Sequence, residues 1–218
     1  MNSVLDIYCI LTGLLKLSFF PVLLIVCHKK AEVRLLPAFA ALAACFPVFI
    51  AAGVIRSGFE RQHIDFFIKQ AVLYSIFEEG AKYLMLRFLL RSYDRPADAV
   101  SYGIGHGYFE EFGAAFTCFG LVGTGRAGHD IFWFNLFSVP VGAVSCIAVT
   151  VLIFYGIHNG KSIITLPAAM LLHFFGNISA ALLMESAAIA VHLVLTAGAA
   201  FAAYKCCKAM EYPSRNGM

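Results

Sequence analysis

Seven stretches of the chain each approach the ~20 apolar residues an α-helix needs to cross a ~30 Å hydrocarbon core. They cover residues 5–27, 35–55, 64–90, 97–122, 131–155, 163–184 and 187–206. The links between them are short, and the one sizeable polar stretch is the tail at residues 205–218. Charged residues make up 13% of the chain, about half the ~25% of a water-soluble domain. That is too few to cover a surface facing water. Residues 1–218 are therefore expected to form a single all-α domain, a polytopic membrane bundle of about seven transmembrane helices, with any chemistry carried by the helices themselves.

Basic residues orient the bundle. The first loop carries Lys29, Lys30 and Arg34, the third Arg91 and Arg95, the fifth Lys161, and the tail Lys205, Lys208 and Arg215. The other side has Arg56, Arg61 and Arg126. Under the positive-inside rule this places the N-terminus outside and the C-terminus in the cytoplasm of a cell (plasma) membrane protein. An odd number of helices requires the termini to lie on opposite sides, which agrees. The first apolar run lacks a basic leader and an A-x-A site, so it reads as a retained helix rather than a signal peptide. A net charge of +3 gives no reason to expect a nucleic-acid partner. Seven cysteines without a C-x-x-C pair signal neither a disulfide framework nor a thiolate metal site.

Ionisable groups at mid-membrane cost about 2.5–3.5 kcal/mol each on insertion scales, and they usually face one another or a cavity. Three helices carry them here. The third holds Glu78, Glu79 and Lys82, the fourth His106, Glu110 and Glu111, and the sixth His173 and Asn177. Glu78 and Lys82, His106 and Glu110, and His173 and Asn177 are each four residues apart, hence on one helix face. Three polar stripes at matching depth are what one enclosed site would supply. A desolvated glutamate can act as general base toward water, and two histidines from different helices can hold a metal or donate to an oxyanion. Asn177 adds an amide donor. Such a set suits hydrolysis of an amide bond.

Plainer readings stand beside these. Glu78 with Lys82 can be a buried ion pair, Glu111 lies off the His106 face and reads as structural, and a lone His173 would be an ordinary packing residue. His28, His63, His129, His158 and His192 fall near expected helix ends and are assigned no chemistry. Lys16 and Lys69 lie inside apolar runs, and Lys69 can snorkel outward. Gly103 and Gly107 form a small-xxx-small face suited to close approach of another helix.

At these residues the chain resembles the glutamic-type intramembrane protease superfamily, which includes the CAAX prenyl endopeptidases, the PrsW proteases and the YhfC family. Glu78, Glu79 and Lys82 match its Glu-Glu-x-x-(x)-Lys/Arg element, and His173 and Asn177 its His-x-x-x-Asn/Asp element. Gly105-His106-Gly107 followed by Glu110 is most similar to YhfC. The resemblance implies a membrane-embedded peptidase acting on a membrane-embedded or lipid-anchored peptide. Glu78 or Glu79 would be the base, with His106 and His173 as ligands or oxyanion donors, Asn177 as an oxyanion donor and Lys82 holding the glutamates ionised. It also implies one divalent metal, such as zinc, on His106, Glu110 and His173. Where the family carries a further histidine on the fifth helix, this chain has Asn135, with His129 six residues earlier. That departure leaves open a non-catalytic scaffold of the same fold. Buried acids, a lysine and histidines would also suit a small transporter.

Overall fold

The computed structural model describes residues 3–59, 64–124, 129–183 and 185–211, which form seven helices and no strand. Arg61, His63, Arg126 and Arg215 lie outside the described residues, as does the side chain of His129. The helices are α1 (Ser3–Ala31), α2 (Leu36–Ser57), α3 (Ile64–Leu84), α4 (Pro96–Gly120), α5 (His129–His158), α6 (Ser162–Leu182) and α7 (Glu185–Glu211). All seven apolar stretches are helical, with ends displaced by a few residues. Pro21, Pro47 and Pro140 sit inside α1, α2 and α5.

Five of these helices (α1, α2, α5, α6 and α7) are long and apolar enough to cross a bilayer. The chain is a multi-pass membrane protein. Helices α3 and α4 fall short on composition, because they carry Glu78, Glu79, Lys82, His106, Glu110 and Glu111 between them. Surrounding helices shield them, which lets such segments sit at membrane depth.

Short links force neighbouring helices to run antiparallel, and contacts at both ends record it. At one end, Arg34 of the α1–α2 link reaches the carboxylate of Asp98 in the first turn of α4, its Nε donating to Oδ1 at 2.7 Å. The Ser101 hydroxyl donates to the Arg34 carbonyl at 2.5 Å, and the guanidinium lies 4.4 Å over the Tyr93 ring. At the other end, the Gly123 N–H beyond α4 donates to Asp6 Oδ1 at 2.8 Å, near the start of α1. Between α5 and α6, Gly160 takes φ 65°, and the Lys161 N–H bonds back to the Gly156 carbonyl at 2.8 Å. Glycine ends helices in this way because the left-handed region suits it.

Helix α4 is central, and its glycines explain how. A Cβ at Gly103 would meet Ile147 Cα of α5 at 2.7 Å, one at Gly105 would meet Ala38 Cα of α2 at 2.6 Å, and one at Gly107 would meet the Phe20 ring of α1 at 2.7 Å. The small face expected from Gly103 and Gly107 does admit another helix, since both lie against Cys146 of α5; Gly107 also takes the Phe20 ring of α1, and Gly105 opens a further contact with α2. Three helices close on α4 because it lacks side chains where they pass.

Helix α3 ends in a single π turn, Met85–Leu89, closed by the Leu90 N–H on the Met85 carbonyl at 2.8 Å. Isolated π turns mark one extra residue in a helix and gather at functional sites. The turn seats Leu86 and Leu90 in the principal apolar core, with Ala99 and Tyr102 of α4, Val151 and Phe154 of α5, and Ala203 of α7.

Replacing Gly103 by Ala should lower thermal stability in detergent by about 1–3 kcal/mol, the usual cost of overpacking. Gly53→Ala should leave the midpoint unchanged or slightly raised, because nothing lies within 4 Å of the added methyl. Thermal unfolding of the two variants side by side measures the difference.

Candidate active site

Consecutive residues of an α-helix point about 100° apart, so Glu78 and Glu79 serve different neighbours. Glu79 turns toward α6 and is wholly buried. Its Oε1 accepts from Lys82 Nζ at 2.7 Å and from His173 Nδ1 at 2.6 Å. Glu78 turns toward α4, where its Oε2 lies 3.3 Å from His106 Nε2. His173 Nε2, on the far side of its ring from Glu79, stands 3.7 Å from that same oxygen. One turn along α4, Glu110 Oε1 approaches His106 Nε2 at 3.0 Å. The three polar stripes therefore meet. Lys82 pairs with Glu79, three residues away, rather than with Glu78 as the four-residue spacing suggested.

A carboxylate only accepts, so the Glu79 contact makes Nδ1 of His173 the donor and leaves Nε2 facing Glu78. Glu79 Oε2 is buried without a hydrogen-bond partner in the structure. Glu79, Lys82, Glu110, His173 and Asn177 line a chamber of about 90 Å³, room for a few waters. Asn177 thus lies on the chamber wall one turn beyond His173.

Three larger recesses adjoin this centre. An apolar groove of about 570 Å³ between α2 and α4 is lined by Phe46, Phe49, Ile50, Phe109 and Phe112, with Glu78, His106 and Glu110 also on its wall. A polar mouth of about 380 Å³ between α2, α3 and α6 runs from Arg56 and Gln70 to Glu78, Glu110, His173 and Asn177. A side cavity of about 260 Å³ is lined by Lys16, Glu111, Asn135, Ser138, Glu110 and His192.

These placements account for several residues read otherwise from sequence. Lys16 of α1 forms a buried ion pair with Glu111 of α4, which gives each a counter-ion. That bears out the structural reading of Glu111 and explains the buried lysine. Lys69 is exposed, as snorkelling requires. Asn135 belongs to the side cavity rather than to the chamber. His192 departs from expectation: it lines the chamber on α7 and packs against Gly176 of α6, whose added Cβ would lie 3.4 Å from its ring. Only the packing of α7 against α6 reveals this, since His192 has no ionisable partner at helical spacing. Two cysteines were also passed over. Cys45 Sγ lies 3.1 Å from His106 Nδ1, and Cys146 donates to Glu110 Oε2 at 3.6 Å.

Against this geometry the comparisons with known proteins take on meaning. Residues 52–112 match the family model described as YhfC intramembrane metalloprotease. The matched stretch holds Glu78, Glu79, Lys82, His106 and Glu110, and it stops short of His173 and Asn177. No curated protein and no solved structure matches the chain.

The YhfC description names a metal, and the donor set fits one. Glu78, His106 and Glu110 each offer a ligand atom, all within 4.8 Å of one another. The two contacts to His106 Nε2, at 3.0 and 3.3 Å, are close to the ~3.4 Å ligand spacing of a tetrahedral site with bonds near 2.1 Å. Three carboxylates (Glu78, Glu79 and Glu110) face one lysine here, and a divalent cation would balance the remainder. Cys45 sits on the other ring nitrogen of His106, where a metal-bound imidazole usually has a partner. The expected set had His173 in place of Glu78. In the structure, Nδ1 of His173 is committed to Glu79, and its Nε2 lies beyond the triplet.

Metal analysis of the purified protein should find about one divalent ion per chain, as a single closed donor set would hold. His106→Ala and Glu110→Gln should lose it, whereas His173→Ala should retain it. Loss in His173→Ala would restore that histidine to the ligand set.

Proposed function

We propose that the chain is an intramembrane peptidase that hydrolyses a peptide bond of a membrane-embedded or lipid-anchored peptide. One observation carries this reading. A wholly buried carboxylate, Glu79, orients His173 so that its free nitrogen faces a second carboxylate, Glu78, beside a water-sized chamber.

The residues divide the work. Lys82 neutralises Glu79, which makes a permanent anion tolerable at this depth. Glu79 fixes the tautomer and direction of His173, as a buried carboxylate does for a catalytic histidine. Glu78, which lines both the apolar groove and the polar mouth, is the carboxylate placed to take a proton from water. It serves this role better than Glu79, whose Oε1 is already shared. The proton passes from Glu78 to His173 Nε2, 3.7 Å away, and from that nitrogen to the departing amine. Asn177 is placed to donate its amide to the oxyanion, where donors aimed at developing charge count most. Glu78, His106 and Glu110 are the residues that would hold a divalent metal; Glu78 would then serve as a ligand, and His173 Nε2 would be the group left to take the proton from water. A metal there would supply Lewis-acid polarisation of the carbonyl and a more acidic water.

The apolar groove supports a membrane-borne substrate. Phe46, Phe49, Ile50 and Phe112 on its rim are exposed to what would be lipid, and its wall includes the carboxylates and His106. An apolar peptide segment lying in it would bring its backbone to them. The charge bias of the loops supports a cell-membrane protein with its N-terminus outside and its C-terminus in the cytoplasm.

In reconstituted membranes, Glu79→Gln and His173→Ala should each lower the cleavage rate by about 10²–10⁴-fold, the range for loss of positioned acid–base catalysis. Both should still melt cooperatively, Glu79→Gln at a lower temperature because it leaves the buried Lys82 without its anion. Full turnover in both would rule this site out, whereas an unaltered protein that cleaves nothing and co-purifies with a membrane partner would favour a scaffold.

A further inference from the structure

We propose that the chamber is reached from the end of the bundle opposite the basic loops, so that its substrate is a peptide segment on the non-cytoplasmic side. This rests on the peptidase reading for the word substrate, but the direction of entry rests on the distribution of core and cavity alone.

The bundle is solid in one half and hollow in the other. At the basic end lie the last turns of α1, α3, α5 and α7 and the first turns of α2, α4 and α6. The principal apolar core falls there: Ala41, Leu90, Ala99, Phe154, Ala169 and Ala203 all belong to that half of their helices. Arg34, Asp98 and Ser101 bind the α1–α2 link to α4 across the same end. No cavity described above is walled by these residues.

The recesses occupy the opposite half. The polar mouth is built from the end of α2 (Arg56), the start of α3 (Phe67, Gln70) and the end of α6 (Ala181). The side cavity uses the start of α5 (Asn135, Ser138), the start of α7 (Ala188) and the end of α6 (Ala180). Both reach Glu110, and the mouth also reaches Glu78, His173 and Asn177. Arg56 stands in the last turn of α2 at the head of the mouth, where a long basic side chain keeps its charged tip in water, so the mouth is wet. Water and a polar backbone can therefore descend from this end, while the apolar groove beside it takes the lipid-borne part. The positive-inside bias makes this the outer face. Peptides held only at the cytoplasmic leaflet would meet the sealed half.

Side-selective labelling of the full-length protein tests this. Gln70→Cys and Ala181→Cys each place a thiol on the mouth, and Lys161→Cys marks the basic end. Each would be treated with a charged, membrane-impermeant maleimide in intact cells and in inverted vesicles, and read at the single residue by mass spectrometry. The expected result is labelling of both mouth positions in intact cells, lost in inverted vesicles, with Lys161→Cys showing the reverse. Labelling of the mouth from the same side as Lys161→Cys, or from neither side, would overturn the proposal. Reversal of all three would overturn its assignment to the outer face. Labelling needs no turnover, so full cleavage by Glu79→Gln and His173→Ala would sink the assignment of peptidase chemistry to this site without touching this result.

Discussion

A carboxylate in hydrocarbon must be paired or it will not stay, and the rest of this protein is arranged around that condition. Glu79 is the most buried acid of the site, and Lys82 and His173 both bind its Oε1. Breaking a buried pair by removing one partner typically costs 3–5 kcal/mol. The pairing therefore ties α3 to α6 as firmly as apolar packing does. It also sets the chemistry, because the nitrogen that binds Glu79 dictates which nitrogen of His173 is left to face Glu78. Stability and reactivity here share one hydrogen bond.

Helix α4 supplies the other half of the design. It is too polar to qualify as a membrane span by itself, yet Gly103, Gly105 and Gly107 let α5, α2 and α1 approach until they replace the lipid. His106, flanked by two of these glycines, is drawn into the interior by the same close approach. Burial of a polar helix and delivery of a ligand are thus one event. The Lys16–Glu111 pair repeats the principle on the α1 side, where an acid off the main face finds its own cation.

The helical bundle was legible in the sequence because runs of ~20 apolar residues in a chain this poor in charge have few other uses. The site was legible to the extent that it obeys helical spacing: Glu78, Glu79, His106, Glu110, His173 and Asn177 stand at regular intervals on three helices and meet where those helices do. What escaped was set by tertiary packing. Spacing favoured Glu78 as the partner of Lys82, but the approach of α6 beside Glu79 decided otherwise. His192 lacks an ionisable neighbour at helical spacing and can be placed only from the packing of α7 against Gly176. Cys45 and Cys146 looked like ordinary small core residues, and nothing in their local sequence tells which cysteine will lie against a histidine.

The π turn at Met85–Leu89 has a consequence for how the chain can change over time. Glu79, Lys82, Leu86 and Leu90 follow one another at spacings of three and four and are all buried. One inward face thus runs from the chamber into the sealed half, and the π turn carries its last step. Removing a residue there would rotate Leu90 by about 100° relative to Glu79 and turn it away from the core. The interval between the acidic stripe and the loop with Arg91 and Arg95 is therefore a fixed spacer rather than tolerant linker. Insertions and deletions should gather instead in the links at the hollow end.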